Sequence, residues 1–153
     1  METIEKSVEV LNDLIEINND RVAGFEKAIK DLDEGNSDLK AVFEKFAEDS
    51  RNNSRELTNV VNSFGGEAET GTSGSGTIHR AWIDVKATFT GHDRKSILAE
   101  CERGEDAIKK AYKSAIEESS ELSPEALQVI SSQQQGINAG HDRIKALRDS
   151  QVD

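Results

Sequence analysis

The stretch VEVLNDLIEINNDRVAGFEKAIKDL, residues 8–32, sets Val8, Leu11, Ile15, Val22, Phe25, Ile29 and Leu32 at steps of 3, 4, 7, 3, 4 and 3. Steps of three and four bring side chains back to one face of an α-helix, so these residues form an apolar stripe. The step of seven skips one position, Asn18. The spacing predicts a helix over about 3–33, closed by Gly35 as a C-terminal stop. Gly24 inside it costs about 1 kcal/mol relative to Ala, which a close helix–helix approach would explain.

The same rhythm continues outward. Leu39, Phe43, Phe46, Leu57, Val60 and Phe64 mark a second helix over about 37–64, with Ser50 and Asn53 at the skipped positions. Asn36 or Ser37 is placed to cap it, and Gly65-Gly66 ends it. Residues 65–76, GGEAETGTSGSG, read as a flexible loop without packing capacity. A short helix is expected over about 77–88, with Ile78, Trp82, Val85 and Phe89 on one face and Asp93 as cap for the next helix. Ile97, Cys101, Ile108, Tyr112 and Ala115 mark a helix over 94–118, with Glu105 on the stripe. Ser123-Pro124 is a restart signal, Ser at the N-cap and Pro at the first helical position. Leu127, Ile130, Ile137, Ile144 and Leu147 mark the last helix, 124–148, with Gln134 and His141 on its stripe.

Helices 1–2 and 3–4 are joined by short links, which makes antiparallel hairpins. The link over 65–92 is long. An all-α, single-domain four-helix bundle over 1–153, two hairpins joined by a long crossover carrying a short helix, is the ferritin-like topology. One proline in 153 residues fits long uninterrupted helices.

Composition excludes several functions. Nineteen Lys+Arg against 30 Asp+Glu give a net charge of −11, which argues against a broad nucleic-acid face. One cysteine excludes a disulfide framework and a cysteine-built zinc finger. No apolar run is long enough to span a membrane. Met1-Glu2-Thr3-Ile4-Glu5 has no basic start and no apolar h-region, so the expected compartment is the cytoplasm.

The skipped positions fall near the helix midpoints. In an antiparallel bundle they meet at one level, so Asn18, Ser50, Asn53, Glu105, Gln134 and His141 are expected to form a central polar layer. A buried polar group without a partner costs about 1–3 kcal/mol, so these groups must satisfy one another, water or an ion. Di-iron bundles of this topology place a Glu on each of two helices and Glu-x-x-His on the other two. Here helix 2 carries Ser50-x-x-Asn53, helix 4 carries Asn138-x-x-His141, and helix 1 offers Asn18 and Asn19. Two readings stay open. Glu105 and His141 pair with each other inside a structural network, with no cofactor. Alternatively they hold iron or another divalent metal, with Glu16, Asp20, Asp49, Glu102 or Asp106 as recruits.

Three motifs carry a resemblance: Gly74-Ser75-Gly76-Thr77-Ile78-His79-Arg80-Ala81-Trp82, Glu100-Cys101-Glu102-Arg103-Gly104-Glu105-Asp106, and His141-Asp142-Arg143-Ile144-Lys145. With Leu11-Asn12-Asp13-Leu14-Ile15-Glu16, the chain resembles a bacterial family of small ferritin-like four-helix-bundle proteins of unknown function, over about residues 5–149. The resemblance implies the fold. It implies no activity, and iron storage is not carried over with it.

Other groups have plain readings. His79, Arg80, Trp82 and Asp84 fit packing of the short helix over the bundle. Cys101 on an apolar stripe reads as a buried, inert thiol. Gly71–Gly76 lacks the strand and the Gly-Lys-Ser/Thr of a phosphate loop. The expected function is a non-catalytic, cytoplasmic bundle, structural or stress-related, that self-associates as a dimer. The alternative is the metalloprotein built on Glu105 and His141.

Overall fold

The computed structural model describes residues 2–32, 34–69, 94–117 and 119–151. The helices are α1 (Glu2–Asp31), α2 (Ser37–Ser63), α3 (Arg94–Glu117) and α4 (Pro124–Asp149), with a 3₁₀ turn at Ser119–Glu121. They form the ferritin-like four-helix bundle. The short helix expected at 77–88, with His79, Arg80, Trp82 and Asp84, and the Asp93 cap lie outside the described residues.

Helix directions are set by the side-chain pairs. Arg94 at the start of α3 donates to Asn36 and Asp38 at the start of α2, so α2 and α3 run parallel. The end of α2 and the start of α3 therefore lie at opposite ends of the bundle. The backbone N–H of Ser123 donates to Ser7 Oγ, which sets the start of α4 beside the start of α1.

The termini use local chemistry. Gly35 and Gly65 both have positive φ, +91° and +78°, conformations that L side chains rarely adopt, and each stands just past a helix end. Ser123 Oγ accepts from Ala126 N at 3.2 Å, with Pro124 at the first turn. Asn36 stands at the N-cap of α2 without a side-chain cap bond. Its Oδ1 accepts from Arg94 instead.

The core is wider than a two-residue heptad seam. On α1, Leu11, Leu14, Ile15, Ile17, Phe25, Ala28 and Leu32 are buried, while Val8 and Ile29 pack against them half-buried. The arc is broad because α1 touches both α2 and α3. Phe25 meets Phe43 and Phe46 of α2 at ring-centroid distances of 5.3 and 5.7 Å. On α2 the stripe shifts by one residue at its end: Val61 is buried, and Val60 and Phe64 are half-buried.

One expectation is corrected within the described part of the loop after α2. Residues 65–69 do pack. Asn12 of α1 donates to Glu67 O and accepts from Glu69 N, both at 3.0 Å, and Ala68 lies against the core. A Cβ on Gly66 would stand 3.0 Å from Val8, so a side chain here would have to push Val8 aside.

Replacing Ser123 by Ala removes the α4 cap while keeping the N–H to Ser7. Urea unfolding should show a loss of about 1 kcal/mol with an unchanged m-value.

Candidate functional site

At mid-height the core stops being apolar. Arg21 of α1 is 1% exposed and Glu105 of α3 is 0% exposed. Arg21 Nε meets Glu105 Oε1 at 2.6 Å, and Nη2 meets Oε2 at 2.9 Å. This two-pronged geometry uses the planar guanidinium as a fork. The third arm, Nη1, donates to Ser50 Oγ of α2 at 3.1 Å. The guanidinium carbon lies 5.4 and 5.3 Å from the ring centres of Phe25 and Phe46, so its faces are covered by aromatic π-density.

A chain of hydrogen bonds runs on from Ser50. Its hydroxyl donates to Asn18 Oδ1 at 2.9 Å, and Asn53 Nδ2 donates to the same oxygen at 3.2 Å. Asn18 Nδ2 donates to Leu14 O and to the Tyr112 hydroxyl, both at 2.8 Å. Tyr112 donates to Gln133 Oε1 of α4 at 2.7 Å. Gln133 Nε2 donates to Asn53 O and Glu56 Oε1. Side chains from all four helices thus satisfy one another in sequence, as burial requires.

Four of the residues expected in the polar layer, Asn18, Ser50, Asn53 and Glu105, join this network. Gln134 is half-buried, and its neighbour Gln133 is the buried member. Glu105 and His141 do not pair: Glu105 is held by Arg21, and His141 Nε2 meets Asp106 Oδ1 at 2.5 Å. Helix geometry explains the difference. On α4 the buried positions are 126, 130, 133, 137, 140, 141 and 144, and of these Gly140 faces the ion pair. The next residue, His141, is turned about 100° round the helix and meets Asp106 of α3. Of the proposed recruits, Asp49 is ion-paired to Lys45, and Glu102 and Asp106 gather at His141.

Arg21 is the member the sequence reading missed, because buried arginine is rare without a partner. The signal existed. Leu11, Leu14, Asn18, Arg21, Phe25, Ala28 and Leu32 step by 3, 4, 3, 4, 3 and 4, a more regular stripe than the one through Val22.

Gly140 closes the pair from the α4 side. A Cβ there would stand 2.8 Å from Arg21 Nη2 and 3.3 Å from Glu105 Oε2. Beside the network, between α2 and α4, lies a cavity of about 280 Å³ lined by Arg21, Asp49, Asn53, Glu56, Gln133 and Gly136. Burial pushes the Cys101 thiol well above its ordinary range, reinforced by Glu105 and Glu100, so it is a poor nucleophile. Burial also raises the Tyr112 hydroxyl, partly offset by Asn18 and Arg21.

The chain belongs to the family described as a domain of unknown function, DUF2383, whose sequence pattern it matches over residues 6–118. That match takes in all of α2 and α3 and all but the first residues of α1, and stops before α4. Among solved structures the fold is similar to a mutant of Dps1 from Mycobacterium smegmatis, with TM-score 0.81 and 12% identity over 95% of this chain and 97% of that one. It is also similar to a dodecameric thioferritin, the bacterioferritin-related protein from Bacteroides fragilis, with TM-score 0.77 and 11% identity over 94% and 84%. No curated protein matches the sequence. At these identities the likeness concerns the fold.

Among the described residues, those at the bundle centre do not fit a dinuclear iron centre of the kind this topology can hold. Such a centre takes four carboxylates and two imidazoles. Two described carboxylates are fully buried, Asp20 and Glu105, and Arg21 already neutralises Glu105. A divalent ion about 4 Å from the guanidinium would meet a repulsion of about 8 kcal/mol at the effective dielectric of a protein.

Two glycines four residues apart should respond with opposite signs. Gly140→Ala forces a guanidinium pinned by three hydrogen bonds to move, and should destabilise by about 1–3 kcal/mol in urea unfolding. Gly136 is exposed, with nothing within 4 Å of an added Cβ, so Gly136→Ala should stabilise by about 0.5–1 kcal/mol.

Alkali should unfold the protein early. The thiol and hydroxyl ionise near 9.0 and 10.0 when unfolded, but resist ionisation in the fold. Above those values the unfolded chain holds fewer protons than the native one, so stability present below pH 9 is lost as pH rises. The slope of unfolding free energy against pH, measured between about pH 9 and 11, should be shallower in Cys101→Ala.

Proposed function

We propose that this protein is a non-catalytic member of the ferritin-like fold, in which a protein cation takes the place that metal ions take in di-iron bundles. The observation that carries this reading is the Arg21 guanidinium, buried and two-pronged on Glu105. It supplies the positive charge that a core carboxylate needs. It also denies that carboxylate to a metal. The polar layer then acts as scaffolding, fixing the relative register of four helices whose apolar faces alone would tolerate sliding. Burial raises the Cys101 thiol above its ordinary range, which makes it a poor nucleophile.

In this reading the chain works in the cytoplasm as a structural or stress-related protein that associates with copies of itself. The dodecameric assembly named for the Bacteroides fragilis protein supports association in general. A two-fold dimer is the commonest closed unit. Ile4 is the large hydrophobic side chain found exposed among the described residues. Contacts through the described faces would therefore be polar and sensitive to salt.

The test is anaerobic loading of tag-free protein with Fe(II), followed by exposure to oxygen. Oxidation should proceed at the rate of buffer alone. Stoichiometric, protein-accelerated oxidation with a diferric absorption band would overturn the proposal. Light scattering should report an assembly larger than one chain.

A further inference from the structure

On the other side of Gly140, α3 and α4 bring together Glu102, Asp106 and His141. One ligand atom from each lies within 4.8 Å of the other two. The two carboxylates are four apart on α3, so they share a face. His141 and Glu102 are buried, 7% and 8% exposed, whereas Asp106 is open to solvent. Glu105 is not in this group, so the cluster is distinct from the bundle centre.

Three features separate it from an ordinary acidic patch. First, it includes an imidazole whose other nitrogen is backed by a carboxylate. His141 Nδ1 stands 3.3 Å from Asp142 Oδ1, the arrangement that orients a metal-bound histidine through its far nitrogen. Second, Asn138 lies one helical turn before His141, and its Oδ1 is buried without a hydrogen-bond partner among the described residues. Third, Glu102 is paired with a partly exposed cation. Its Oε2 contacts Arg148, whose side chain is 36% exposed and also bonds Asp149. Unlike Arg21, Arg148 can swing out into water.

We propose that Glu102, Asp106 and His141 bind one divalent transition-metal ion at the α3–α4 seam. Two carboxylates match the charge of a divalent ion, and imidazole nitrogen with carboxylate oxygen suits zinc and its first-row neighbours. Ligand atoms around such an ion sit roughly 3–3.5 Å apart. The His141–Asp106 contact must therefore open by about 1 Å, and the Glu102–Arg148 contact must give way. Water completes the coordination shell on the open Asp106 side. The ion would staple α3 to α4, the hairpin that carries half the bundle.

Arg148 makes the test independent of folding defects. The full chain is titrated calorimetrically with Zn(II), and with Co(II) to read its visible absorption. One ion per chain is expected, with an intense tetrahedral or five-coordinate Co(II) band. His141→Ala should abolish binding, and Asp142→Asn should weaken it about tenfold. Arg148→Gln removes the competing cation, so it should tighten binding severalfold and raise the unfolding temperature in Zn(II). The proposal is overturned if the wild type shows no saturable binding, if His141→Ala binds as well as wild type, or if Arg148→Gln leaves the affinity unchanged.

Discussion

The ion pair between Arg21 and Glu105 is the constraint around which this bundle is arranged. Removing two charges from water costs several kcal/mol per ion, and mutual attraction offsets this only when geometry is good and remaining donors are satisfied. Each requirement has a residue behind it. The fork meets both carboxylate oxygens. Ser50 takes the third arm. Phe25 and Phe46 cover the guanidinium faces, and the backbone of α4 approaches closely because position 140 is glycine. The pair therefore dictates residue types on all four helices.

A buried ion pair is weak evidence for stability and better evidence for specificity. An apolar core of Leu, Ile and Phe gains nearly as much free energy in neighbouring registers. A slide of one turn here would separate Arg21 from Glu105, and Asn18 from Tyr112 and Ser50. Each separation strands a buried polar group. The polar network thus penalises the misaligned bundles that the apolar stripe leaves close in energy. Under the proposed function the same logic closes the centre to metal, because the cation needed for neutrality is part of the chain.

Much of the fold was legible in the sequence. The stripes, the single proline, Gly35, Gly65 and Ser123-Pro124 mark four helices, and link lengths order them. The details of the site were less legible. Arg21 lies on a regular stripe, but a charged residue on a stripe is ordinarily an interruption of it. On α4, Leu127 and Leu147 drew the inward face one residue round, which exchanged Gln133 for Gln134 and Gly140 for His141. A glycine gives no apolar signal, although here it marks the closest approach to the ion pair. The Glu102–Asp106–His141 cluster depends on which α4 position faces which α3 position, and period alone does not say that. Membership of DUF2383 and the likeness to Dps1 and thioferritin agree with the architecture without assigning a role to these residues.

The most direct test of this account is a double-mutant cycle in denaturant with Arg21→Met and Glu105→Leu, singly and together. Each single change leaves one buried charge without its partner and should lose about 3–5 kcal/mol. The double variant removes both charges and should recover most of that loss, standing above either single variant. Losses that simply add would contradict the account, because the two side chains would then be energetically independent, and the centre of the bundle would be organised by something other than their pairing.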